Sequence, residues 1–206
     1  MNEITIVGFT QPHFLSICDI LNSLYLTPKI YLFDNQKRYS NGLEFIDFEI
    51  VDNLIDKKNL LLCFANPKGK YDLIEKLGLN SKSFINLFHK SSEISNYSYF
   101  GSGIRIEPLV CIANNTTVED YVNINRNSSI GHDCFIGKYT SINPSVSISG
   151  GVYVGERTQI GTGSKIINNI KIGDNVFIGA GSVVTKNIPD NVVAYGNPCK
   201  IIRENV

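Results

Sequence analysis

The sequence predicts a small α/β unit with a Rossmann-like parallel sheet, followed by a parallel β-helix of hexapeptide repeats. Three observations carry this prediction. First, from Phe88 to Val184 an aliphatic residue or Phe falls at every sixth position, through Ile94, Phe100, Ile106 and on to Ile172 and Ile178, without a miss. With 43% of the chain hydrophobic, chance would give such a run on the order of once in a million trials. Second, a smaller or β-branched residue stands two places before most of these sites (Thr116, Ser128, Cys134, Thr140, Val152, Thr158, Ser164), and Gly often follows them, as at Gly131, Gly137, Gly155, Gly161, Gly173 and Gly179. Third, the residues before this array lack the period and instead alternate strand-like and helix-like runs.

An α-helix does not produce a six-residue period. Each hexad reads as one short strand plus a bend, and stacked coils bury a continuous aliphatic column. The glycines after the large residues are expected to let the chain turn sharply at the corners. At about 18 residues per three-sided coil, the array makes roughly five coils.

In chain order, Glu3 to Gly8 reads as a buried strand ending in Gly, followed by a loop from Phe9 to His13. Phe14 to Tyr25 carries apolar residues at helical spacing, Pro28 stops it, and Lys29 to Phe33 forms the next strand, giving a β-α-β unit. A small edge strand is expected between Leu43 and Val51. Leu60 to Ala65 is a third buried strand, Pro67 to Leu77 a helix with Gly78 past its end, and Ser83 to Phe88 the last strand before the hexads. These readings divide the chain into an α/β domain (1–83), the β-helix (84–188) and a tail (189–206). Ligands of such a sheet bind at the carboxyl ends of its strands.

Composition excludes several classes. The 19 basic residues balance 19 acidic ones, so there is no electrostatic case for a nucleic-acid or membrane partner. The five cysteines are scattered without CxxC spacing and read as reduced thiols rather than a disulfide or zinc framework. No stretch approaches membrane-spanning length and the start lacks a signal-peptide pattern, so a cytoplasmic, soluble protein is expected.

Candidate chemistry is sparse. Of three histidines, His132 stands between Gly131 and Asp133 at a corner of the repeat, where it is either a solvated surface His or a base whose tautomer the adjacent carboxylate fixes. His13 follows the first strand, where it would touch a ligand at the sheet's edge or simply face solvent; His89 reads as structural. Three His ligands of a carbonic-anhydrase-like zinc site are not available, so no metal is expected. Asn125, at a corner seven residues before His132, suits a substrate hydrogen bond or a tight bend. Asp34 sits where dinucleotide folds place an acid on a ribose hydroxyl, but Gly8 to His13 is a poor glycine-rich loop, which favours a looser nucleotide site over a NAD site. Cys134 occupies an inward position and reads as a buried thiol.

The stretch from Asn125 through Gly131-His132-Asp133 to Gly137, with Asn143 to Gly151, Ile178 to Val184 and the tail Gly196-Asn197-Pro198, resembles the left-handed β-helix sugar acyltransferases. The similarity is greatest to bacterial nucleotide-sugar N-acetyltransferases of 4-amino-4,6-dideoxy sugars, and sialic acid O-acetyltransferases share the layout. The resemblance implies left-handed coils, a homotrimer with sites in the clefts between helices, acetyl-CoA as co-substrate, and a nucleotide-sugar bound by the first domain through Gly8, His13 and Asp34. It makes His132 the general base, Asp133 its partner, Asn125 the sugar contact, and Gly150, Thr162 and Ala180 the contacts of the acetyl-CoA arm. Two departures stand out. Ser141 replaces a second His found in some relatives, and the opening loop carries an extra residue before His13. O-acetylation of a sugar, or a non-catalytic nucleotide-sugar-binding scaffold, are the alternative functions.

Overall fold

The computed structural model describes residues 3–8, 10–33, 49–51, 54 and 57–206. Strands β1 (Glu3–Val7), β2 (Lys29–Phe33), β3 (Glu49–Ile50) and β4 (Leu60–Leu62) form one sheet in the order β3-β2-β1-β4, with every pair parallel. Helix α1 (Gln11–Ser23) begins earlier than expected, at Gln11. Pro12 explains this, since a helix's first turn tolerates a missing N–H. His13 is therefore a helix residue and not a loop residue. Helix α2 (Pro67–Leu77) keeps its predicted bounds, capped by the Asn66 side chain and closed by Gly78 at φ 59°. Of the predicted edge strand, Glu49–Ile50 forms β3 and Val51 follows it outside the strand; the part before Glu49, and Asp34, lie outside the described residues. The expected strand from Ser83 to Phe88 is also corrected. Ser81–Ser83 is a 3-10 turn, and β5 (Leu87–Phe88) pairs with Arg105–Ile106 as the first strand of the β-helix.

From β5 onward two-residue strands stack in parallel on partners 18 residues away, as Ser129–Ile130 does on Ser147–Ile148. They fill three faces: a first face of eight strands including the tail, a second of six and a third of five. The coils number nearer six than five, since seventeen two-residue strands from β5 to Val183–Val184 share the three faces. Ile106, Ile124, Ile142, Ile160 and Ile178 stack inside from the first face, each at most 1% exposed; burying each such side chain is worth roughly 1.5–3 kcal/mol. The inward hydroxyls are all satisfied. Thr116 donates to the Gly131 carbonyl (2.8 Å), Thr140 to Gly155 (2.8 Å) and Thr158 to Gly173 (2.8 Å), so these polar groups cost little in the core.

The glycines after the large residues do not make the turns. Positive φ recurs two residues later, at Asn115, Asn127, Asp133, Tyr139, Ser145 and Asn169 among others. Gly131 is small for another reason: a Cβ there would lie 2.6 Å from the Gly150 nitrogen of the next coil. Close coil-to-coil approach, not bending, selects glycine at that position.

The α/β part docks on the first face. Lys70 of α2 is fully buried and its Nζ donates to the carbonyls of Tyr121 (2.7 Å) and Thr140 (3.2 Å) and to Ser141 Oγ (3.1 Å). Asn123 Nδ2 donates to the Phe64 carbonyl at 3.1 Å, and Ser141 Oγ donates to that of Ala65. Ser141 thus belongs to this joint. The tail strands Val192–Tyr195 and Lys200–Glu204 extend the same face as an antiparallel pair.

Candidate active site

His132 lies on the edge between the second and third faces, after Ser129–Ile130 and before Phe135–Ile136. Its Nδ1 is 2.6 Å from Asp133 Oδ2, and the two side chains are 63% and 52% exposed. Asp133 holds φ 57°, a left-handed corner geometry that Asp and Asn tolerate, and this bend turns the carboxylate back onto its neighbour's ring. Asn115, one coil earlier, donates from Nδ2 to Asp133 Oδ1 at 2.5 Å. That amide first, and then the His132 ring, hold the Asp133 carboxyl below the usual carboxylate range. The carboxylate therefore accepts the Nδ1 proton and leaves Nε2 as the open lone pair.

Nε2 faces the next coil. A Cβ added at Gly150 would lie 2.7 Å from both Cε1 and Nε2 of His132, so the ring edge rests on the Gly150 backbone. The N–H groups of Gly150, Thr162 and Ala180 make no hydrogen bond among the described residues, although each coil's strands are otherwise well laddered. Cys134 is 3% exposed and its thiol reaches the Ser149 carbonyl at 3.2 Å. Burial pushes this thiol up, away from the thiolate a nucleophile needs.

The predicted residues fall into two groups. His132, Asp133 and Gly150 share one edge. Asn125, Thr162 and Ala180 lie on the edge between the first and second faces, where Asn125 Oδ1 caps its own turn by accepting from the Arg126 N–H at 2.8 Å. Gly8 and His13 belong to the α/β part, and His13 lies beside this second edge through Arg105. Gly8 ends β1 at φ 73°, with its position closed by the Phe64 ring. His13 Nδ1 is 2.9 Å from Arg105 Nη2, and Arg105 Nε is 3.2 Å from Glu107 Oε1. Glu107 stacks one coil before Asn125, its N–H bonded to Ile124. In a three-sided coil the His132 edge is opposite the first face, where the α/β part docks. One chain therefore keeps His132 away from Asn125 and His13.

Two side chains that touch predicted site residues escaped the sequence reading. Asn115 was detectable, since it precedes Asp133 by one 18-residue coil. Arg105, separated from His13 by 92 residues, left no local signal. A cavity of about 340 Å³ between α2, Arg157, Phe177 and the tail residues Asn205 and Val206 takes in none of the predicted site residues. Among the described residues no cluster of His, Cys, Asp and Glu has the makings of a metal site, and no helix is long and apolar enough to cross a membrane.

Residues 151–186 match the bacterial transferase hexapeptide (six repeats) family. A GDP-perosamine N-acetyltransferase of Escherichia coli O157:H7 is 32% identical over 81 residues, which is 39% of this chain and 37% of that relative's length. PerB from Caulobacter crescentus, solved with CoA and GDP-perosamine, superposes with a TM-score of 0.85 at 25% identity over 98% of each chain. The acetyltransferase domain of PglB from Neisseria gonorrhoeae FA1090 superposes with a TM-score of 0.84 over 98% of this chain and all of that one; at 22% identity it shows the shared fold.

Proposed function

We propose that this chain, built on transferase hexapeptide repeats, is an acetyl-CoA-dependent N-acetyltransferase acting on the C4 amine of a nucleotide-linked 4-amino-4,6-dideoxy sugar. The observation that carries the reading is the His132 ring, held by Asp133 at Nδ1 and pressed by its Nε2 edge onto Gly150. One relative named a GDP-perosamine N-acetyltransferase, and PerB solved with CoA and GDP-perosamine, support this substrate class.

The sugar amine attacks the thioester carbonyl while His132 Nε2 takes its proton, and Asp133 stabilises the imidazolium that forms. The Gly150 N–H, which has no partner among the described residues, would donate to the developing oxyanion. Collapse expels the CoA thiolate, which recovers a proton from His132, giving the amide and free CoA. No acyl-enzyme is needed, because the nearby Cys134 is buried and has no base.

The separation of the two edges gives the reading its quaternary form. Gly8, His13 and Asn125 hold the nucleotide-sugar on one copy, and His132, Asp133 and Gly150 of a neighbouring copy act on it. Thr162 and Ala180, on the Asn125 edge, meet the acetyl-CoA arm. A closed ring of left-handed helices, a homotrimer, repeats this contact identically at each cleft.

The test is thiol release from acetyl-CoA with a panel of GDP-, UDP- and dTDP-linked amino sugars, with the acetyl position read by NMR. An N-acetyl product with one nucleotide supports the reading. An O-acetyl product would move it to sugar hydroxyls, and no thiol release with any acceptor would leave only a binding scaffold.

A further inference from the structure

The joint between α1 and the first face contains a charge network that the reaction above does not use. Arg105 is 3% exposed and Glu107 7%. Glu107 Oε1 accepts from Ser16 Oγ of α1 at 2.5 Å and lies 3.2 Å from Arg105 Nε. Arg105 Nη2 lies 2.9 Å from Nδ1 of the half-buried His13. A guanidinium has only donors. His13 Nδ1 must then carry the lone pair, and the ring's single proton sits on Nε2, which has no partner among the described residues.

We propose that Arg105 is a positioning residue that fixes His13 as a neutral Nε2–H donor, so that the first turn of α1 offers a hydrogen bond to an acceptor oxygen of the nucleotide-sugar's diphosphate. The proposal rests on the reading of Gly8 and His13 as part of the nucleotide-sugar subsite. Two cations face His13, Arg105 from the β-helix and Lys70 from α2, while the Glu107 carboxylate and the Cys63 thiol face Arg105 and Ser16 holds Glu107. Burial first, then Arg105 and Lys70, push the imidazole down to about 4, so the donor persists across the neutral range. The arrangement selects an acceptor over a donor at that point of the ligand, and it keeps a second histidine from competing as a base.

The experiment is ¹⁵N-histidine NMR of the full chain at pH 7, with and without GDP, on wild type, Arg105→Gln and Arg105→Met. Wild type is expected to show His13 as the Nε2–H tautomer, with its resonances moved by GDP. Arg105→Gln, whose amide still donates, should keep the tautomer. Arg105→Met should admit the Nδ1–H form beside it, weaken GDP binding by about tenfold, and raise KM for the nucleotide-sugar with kcat within about twofold. A merely structural role would leave the tautomer and GDP affinity unchanged in Arg105→Met. An Nδ1–H or doubly protonated ring in wild type overturns the proposal even if Arg105→Met does not fold. So do His13 resonances that ignore bound GDP. Because the tautomer is read without turnover, absence of acetyl transfer would count against the proposed reaction alone.

Discussion

His132 and His13 are the same side chain set in opposite company, one on an exposed edge of the β-helix and the other at its covered face. At the edge, Nδ1 meets the Asp133 carboxylate, itself held by Asn115. At the face, Nδ1 meets the Arg105 guanidinium. A carboxylate accepts the Nδ1 proton, leaves Nε2 open and favours the cation that forms when Nε2 gains a proton. A guanidinium reverses each of these: it fills the Nδ1 lone pair, puts the proton on Nε2 and opposes the cation. The neighbour, more than the ring, decides which histidine is suited to act as a base and which as a donor.

Replacing each ring in turn should separate the two roles. His132→Ala is expected to lower kcat by about a hundredfold or more with little change in nucleotide-sugar affinity, measured by steady-state kinetics and calorimetry. Equal losses for His13→Ala in kcat would erase the contrast. Next in size, Gly150→Ala forces a methyl into the space held by the His132 ring; kcat should fall by about tenfold, since a displaced base costs rate more than binding. An unchanged kcat would show that the ring does not work from its place against Gly150.

Asn115→Ala tests the contrast more gently. Asn115 is the first cause of Asp133's lowered carboxyl; without it the carboxylate protonates at higher pH. The acid limb of the pH–rate profile should shift upward, with kcat at neutral pH reduced by roughly threefold. The smallest effect concerns stability. His13 titrates near 6.5 in the unfolded chain and near 4 in the fold. Between those values the unfolded state binds more protons, so this residue's contribution declines as pH falls from about 6.5 to about 4. Urea unfolding of His13→Asn should show a flatter loss over that window than wild type.

The sequence exposed these two regions unequally. The six-residue period made the β-helix, its aliphatic column and the His132 corner readable, because each coil repeats the same local demand. Even the Asn115–Asp133 pair follows from adding one coil length. The period did not reveal why Gly131 is glycine, since the cause is the backbone of the next coil. At the covered face the partners come from distant parts of the chain, as Ser16 meets Glu107 and Lys70 meets Ser141. Only tertiary docking brings them together, so His13 looked like a loop residue and Arg105 like a repeat residue of no note.

The proposed site joins the two regions only between copies, with His132 of one chain acting on a sugar held at Asn125 and His13 of another. Co-expression of His132→Ala with Asn125→Ala, each expected to be nearly inactive alone, measures this directly. If the site is shared, random assembly leaves about one cleft in four with both residues intact, and the mixed oligomer should recover about a quarter of wild-type turnover. If each chain supplies His132 and Asn125 to its own site, every site carries one lesion, and the mixture will stay as inactive as its parts.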